Sequence, residues 1–185
     1  STLINNIAQW IDVDAFDLLN NSFGGSGYDI ACAQNDSPII YQLDNGKPKI
    51  ETVLFDPQFT QNLYFVYLEK KQSSKASIAS YFNNKNETLT EDIISNNKIT
   101  EAVLMSKTIK EFAIALEEHE AQLSNILEMQ TIKESLFPDF DGVIKSLGAW
   151  GGDFVLAISK NHPADYFKEK GFVFAPFDAN DFPFI

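Results

Sequence analysis

Two glycine-rich segments each end on an aspartate, Gly24-Gly25-Ser26-Gly27-Tyr28-Asp29 and Gly148-Ala149-Trp150-Gly151-Gly152-Asp153. In the first, a flexible turn delivers Asp29 to the start of a predicted helix, where the helix dipole favours the ionised carboxylate. A carboxylate so placed can take a proton from a substrate hydroxyl that comes within hydrogen-bond reach. The competing reading is that Asp29 only caps a helix behind a glycine turn. In the second segment, glycines let backbone amides approach a ligand closely. An ordinary strand connection with Trp150 packed inward would read the same way.

Several chemistries are excluded. Ile30 stands where a dinucleotide fingerprint needs its third glycine, and there is no Gly-Lys-Ser/Thr phosphate loop. Tyr28 replaces the last glycine of a nucleophile elbow around Ser26. The lone Cys32 rules out an internal disulfide or a multi-cysteine zinc site, and His119 and His162 lack metal-binding spacing. A chain with no arginine and a net charge of −12 is a poor partner for nucleic acid. Lys70, Lys71 and Lys75 are its nearest approach to a basic patch, serving either an anionic substrate group or a solvated loop.

The elements that must position these segments are legible from local pattern. Leu3 to Trp10 has helical spacing, and Asp14 caps a second helix that Asn20-Asn21-Ser22 should stop. Tyr28 to Gln34 is a third, closely packed helix. Pro38 to Leu43 and Lys49 to Phe55 flank the turn Asp44-Asn45-Gly46 as a hairpin. Asp56-Pro57 breaks the chain before a buried strand at Leu63 to Leu68. Capping boxes at Thr88/Glu91, Thr108/Glu111 and Thr131/Glu134 open helices. Ile109, Phe112, Leu116, His119 and Leu123 mark the inner face of the long one, with His119 a hydrogen-bonded core residue. Val143 to Leu147 and Phe154 to Ser159 are strands, Pro163 to Lys170 is a helix closed by Gly171, and Phe172 to Ala175 is a last strand. This order predicts α+β with antiparallel sheet.

The two glycine segments together resemble the GHMP kinases. Gly25-Ser26-Gly27-Tyr28-Asp29 is similar to the phosphomevalonate kinase pattern, and Gly27-Tyr28-Asp29-Ile30-Ala31 to a bacterial branch named for that pentapeptide. Gly148 to Asp153 is similar to the superfamily's third motif, with Trp150 in place of a glycine. The resemblance implies ATP and Mg2+ as cofactors, a small-molecule alcohol or phosphate as acceptor, Asp29 as catalytic base, and a cytoplasmic enzyme. It places Gly25, Ser26, Gly27, Ser73, Ser74, Gly148, Ala149, Gly151 and Gly152 around the substrate, and Ser1 and Thr2 at the end of the phosphate loop. The family's upstream glutamate for magnesium falls on Leu18, so the metal ligand is left unassigned.

Such enzymes run to roughly twice this length. The resemblance therefore covers the later part: residues 1–56 as the end of a nucleotide-binding domain and 57–185 as a C-terminal domain. The expectation follows that this stretch alone is inactive. It should also expose apolar surface around Leu3, Ile7, Trp10 and the hairpin, to be covered by an N-terminal half or by self-association. A non-catalytic ligand-binding or interaction protein on the same fold is the rival reading, motivated by Trp150 filling space that substrate phosphates use.

Overall fold

The computed structural model describes residues 2–22, 24–70, 89–148 and 152–177. The chain divides into two compact units, one ending at Asp56 and the other beginning at Pro57.

The first unit holds helices α1 (Thr2–Trp10), α2 (Ala15–Ser22) and α3 (Tyr28–Ala33), then a hairpin of β1 (Ile39–Asp44) and β2 (Lys47–Thr52). Its small core is Ala8, Ala15 and Ile30, packed by Ile4, Phe16, Leu18 and Leu19. Small residues at the helix contacts let the three helices approach closely. Asp14 Oδ1 accepts the Asp17 amide at 2.9 Å and so caps α2. The helix then runs on through Asn20, Asn21 and Ser22, the residues whose composition predicts a stop. Ser22 Oγ donates to Leu18 O at 2.6 Å, turning a helix-breaking residue back onto the last turn. The hairpin closes through Asn45 (φ 49°) and Gly46 (φ 77°), the two left-handed positions of a type I′ turn. It puts Asp44 opposite Lys47, so β2 begins two residues earlier than its composition predicts. Along α1, Leu3 is 70% and Trp10 85% exposed, with Ile7 and Ile11 on the same stripe.

The second unit carries β3 (Leu63–Tyr67), α4 (Leu89–Met105), α5 (Ile109–Leu127), α6 (Ile132–Leu136), β4 (Val143–Leu147), β5 (Phe154–Ile158), α7 (Ala164–Glu169) and β6 (Val173–Pro176). The strands order β4-β5-β3-β6, and every pairing is antiparallel. Both inner strands are short apolar runs, as strands covered on two faces should be. Alternation sends Tyr64, Val66, Val155 and Ala157 to one face, where Ile132, Phe137, Phe140 and Phe167 complete the core. The boxes at Thr108/Glu111 and Thr131/Glu134 both form, fixing where α5 and α6 start. The third lies on Thr88, outside the described residues. Gly142 backs onto Ile158 O and lies so close to the Phe140 ring, 2.7 Å from where a Cβ would be, that no side chain fits. Gly171 takes φ 81° just past α7, the left-handed stop its sequence predicts.

No helix among the described residues is long and apolar enough to cross a membrane.

Candidate functional site

Gly24 (φ 67°), Gly25 (φ 122°) and Gly27 (φ 78°) all adopt left-handed backbone, which L side chains resist. The first two have nothing within 4 Å of where a Cβ would stand, so the turn faces open space. Gly27 is different: a Cβ there would lie 2.7 Å from the Phe16 ring. Gly27 also settles the capping question, because it occupies the N-cap of α3 and has no side chain with which to cap. Asp29 therefore lies inside the first turn and is not the cap. It is exposed, whereas its neighbour Ile30 is buried in the helical core. Burial of one and exposure of the next fix the direction in which the carboxylate leaves the helix. Gln34 Nε2 donates to Asn5 Oδ1 at 3.0 Å and ties the far end of α3 to α1.

Other groups in the turn are poor proton acceptors at neutral pH. Burial, then a hydrogen bond with Cys32, holds the Tyr28 phenol well above its ordinary range. Burial likewise pushes the Cys32 thiol up. Asp29 is the carboxylate that this turn presents.

Of the other expected site residues, Gly25, Ser26 and Gly27 share this turn with Asp29. Gly148 and Gly152 lie in the second unit, in the connection from β4 to β5. Gly148 is left-handed (φ 65°) and open, and Gly152 is buried. The Leu68 amide donates to Asp153 O at 2.8 Å, so the end of the glycine loop is tied to the end of β3. Thr2 opens α1. Ser1, Ser73, Ser74, Ala149, Trp150 and Gly151 lie outside the described residues, as do Lys71 and Lys75.

The described residues leave the magnesium ligand unassigned. Leu18 packs on the helical core, and no cluster of three or more His, Cys, Asp or Glu among those residues could hold a metal.

Sequence reasoning missed two groups. Tyr41, on β1, donates its hydroxyl to Ser26 O in the glycine turn. Glu120, 3% exposed, accepts from Ser146 N at 3.1 Å and Ser146 Oγ at 2.7 Å, and pairs with Lys145 Nζ at 3.1 Å. Among the described strands β4 lies at the sheet edge, so this carboxylate takes an amide the sheet leaves open, one residue before the strand ends. The signal was present: Glu120 falls four residues after Leu116 and three before Leu123, inside an apolar stripe.

His119 corrects an expectation. It is half-buried, but its Nδ1 is buried without a hydrogen-bond partner among the described residues. Burial first, and the Lys145 charge second, lower its pKa from 6.5 to about 4. The unfolded chain then binds a proton that the folded chain refuses, so stability is full above pH 6.5 and falls as pH drops toward 4. Glu111, Glu134 and Asp139 are also held low, but their ordinary values are 4.5, 4.5 and 3.8. The upper part of that window, just below pH 6.5, therefore isolates the histidine, because the carboxylates begin to take up protons only near 4.5. Urea midpoints measured across it should decline for the native chain and stay nearly level for His119→Gln. An equal decline in both would show that His119 is not the source.

No protein-family model and no curated protein matches the sequence. Solved structures do match the fold. A Lin0012 protein from Listeria innocua superposes with TM-score 0.69 at 18% identity, over 95% of this chain and 63% of that one. Streptococcus pneumoniae phosphomevalonate kinase, solved with phosphomevalonate and AMPPNP, gives TM-score 0.66 at 17% identity, over 91% and 63%. L. major mevalonate kinase, solved with R-mevalonate, gives 0.62 at 16%, over 84% and 51%. The chain thus spans less than two thirds of each of these proteins. Its helices and antiparallel sheet share part of the fold of these structures, two of which are mevalonate and phosphomevalonate kinases.

Proposed function

We propose that the protein is an ATP-dependent small-molecule kinase, of which these residues form the later part. Residues 1–56 then belong to its nucleotide-binding domain and 57–185 to its C-terminal domain. The observation that carries this reading is Asp29, held exposed in the first turn of α3 behind an open, left-handed glycine turn, in a chain with a kinase fold.

An alcohol acceptor must lose its proton as its oxygen bonds to the γ-phosphorus. Asp29 receives that proton, or orients the hydroxyl so that its oxygen attacks in line with the bridging oxygen, whose bond to the γ-phosphorus breaks as ADP leaves. Gly25, Ser26 and Gly27 border the acceptor, with open space at Gly25. Within the second unit, the glycine connection at Gly148 and Gly152 offers backbone amides that can donate to a phosphate. A mevalonate-type alcohol or its phosphate is the acceptor class that the structural neighbours favour. ATP is the donor, Mg2+ accompanies it, and the setting is cytoplasmic. The apolar stripe of α1 is then the seat of the remaining part of the fold.

The rival is a non-catalytic ligand-binding or interaction protein, favoured by Leu18 packing in the core where the resemblance implies a metal carboxylate. Full-length protein incubated with Mg-ATP and mevalonate or phosphomevalonate separates the two. Release of ADP with a phosphorylated product is the expected result. No melting shift with ATP and no turnover would give the protein to the rival.

A further inference from the structure

A turn containing three left-handed glycines has far more backbone freedom than an ordinary turn of its length. If such a turn is to aim a carboxylate, something outside it must hold it. Three contacts do so, and two of them come from one residue. The Tyr41 hydroxyl donates to Ser26 O, and the Tyr41 ring meets the Tyr28 ring edge-on at 5.7 Å and 75°. The Phe16 ring also packs against Gly27. Within the turn, Tyr28 N donates to Ser26 Oγ at 3.3 Å, so the peptide that Tyr41 grips is next to the one that starts α3. Burial raises the Tyr41 pKa, which keeps the phenol a donor.

The hairpin itself is hard to explain otherwise. Two strands alone are marginal in water, and every residue of β2 is exposed. Tyr41 lies mid-strand opposite Ile50, where the pairing is most secure.

We infer that Tyr41 is a positioning residue: it locks the Ser26–Gly27 peptide and thereby fixes the direction of Asp29. This rests on the kinase reading above for its catalytic consequence, but not for its structural one.

The test uses the full-length protein, with Tyr41→Phe deleting one oxygen and keeping the ring contact. Without ligand, amides of residues 26–29 should exchange severalfold faster with solvent, while those of α1 and α2 keep their rates. With Mg-ATP and a mevalonate-type alcohol, kcat should fall roughly tenfold with the nucleotide KM unchanged. On an Asp29→Asn background the same change should cost no further turnover, because Tyr41 acts through Asp29. Unchanged exchange at the turn, faster exchange throughout residues 1–56, or an equal loss in both backgrounds would each overturn the positioning role. A wild-type protein that turns nothing over would instead sink the kinase reading, and the catalytic half of this inference with it.

Discussion

Asp29→Asn should abolish most phosphoryl transfer while leaving the fold intact. In the full-length protein, turnover of an alcohol acceptor should fall by about 100- to 10,000-fold, the range for removing a positioned general base. The substitution is nearly isosteric and the side chain is exposed, so folding has little reason to change. Asp29 is not the N-cap of α3, and loss of a cap bond is therefore not at stake. The favourable dipole interaction that a first-turn carboxylate enjoys amounts to about 0.3–1 kcal/mol at most exposed sites. A small stability change with a large kinetic one would separate catalysis from structure. Nucleotide affinity, read as the ATP-induced shift in melting temperature, should be kept. An acceptor that is already an ionised phosphate brings no hydroxyl proton to remove, so the loss there should be smaller. Near-full activity of Asp29→Asn with an alcohol acceptor would remove Asp29 from the chemistry.

What the sequence revealed divides by the distance over which each signal acts. The two capping boxes, the Asp44-Asn45-Gly46 turn, Gly171 after α7 and the run Leu63 to Leu68 all formed where local chemistry put them. In the boxes and turns the partner groups lie within a few residues, and in the strand the apolar run itself is the signal, although its partners β5 and β6 are distant in sequence. Asp29 was half-legible. Its place at a helix start followed from pattern, but the choice of Gly27 as N-cap depends on backbone angles that no residue letter encodes. The partners of Tyr41 and Glu120 were not legible, although the place of Glu120 inside an apolar stripe marked it as buried. Their partners lie 15 and 26 residues away, and only tertiary folding brings a β1 phenol to Ser26 O or a helical carboxylate to a strand edge. His119 shows the same limit from the other side. Its position on the inner face of α5 was predicted, but among the described residues the partner expected for its ring is missing at Nδ1.

Glu120 is the residue whose loss should cost the fold most. Its carboxylate is buried, and its two oxygens serve the Ser146 amide, the Ser146 hydroxyl and the Lys145 ammonium. Lys145 is itself mostly buried, with a side chain 12% exposed, and donates to Ser146 O at 2.7 Å. A pair of this kind need not add net stability, because desolvating two charges offsets their attraction. Breaking it is another matter. Glu120→Ala takes the Glu120 carboxylate away from a buried ammonium, strips the edge amide of its acceptor, and removes packing between α5 and β4. Removal of one partner from a buried pair costs about 3–5 kcal/mol. For a chain whose stability lies at the lower end of the usual range, about 5 kcal/mol, a loss of about 5 kcal/mol leaves a sizeable unfolded fraction. Replacing both charges, as Glu120→Gln with Lys145→Met, should recover much of the loss. The introduced side-chain carbonyl would still accept from Ser146, and the thioether would fill the lysine's apolar volume. Urea unfolding of the single and double variants, followed by far-UV circular dichroism, would measure both effects. Equal stability of Glu120→Ala and wild type would mean that water or another anion serves Lys145 as well as Glu120 does. A double variant no better than Glu120→Ala, with volume and acceptor both restored, would refute the recovery expected from removing both charges.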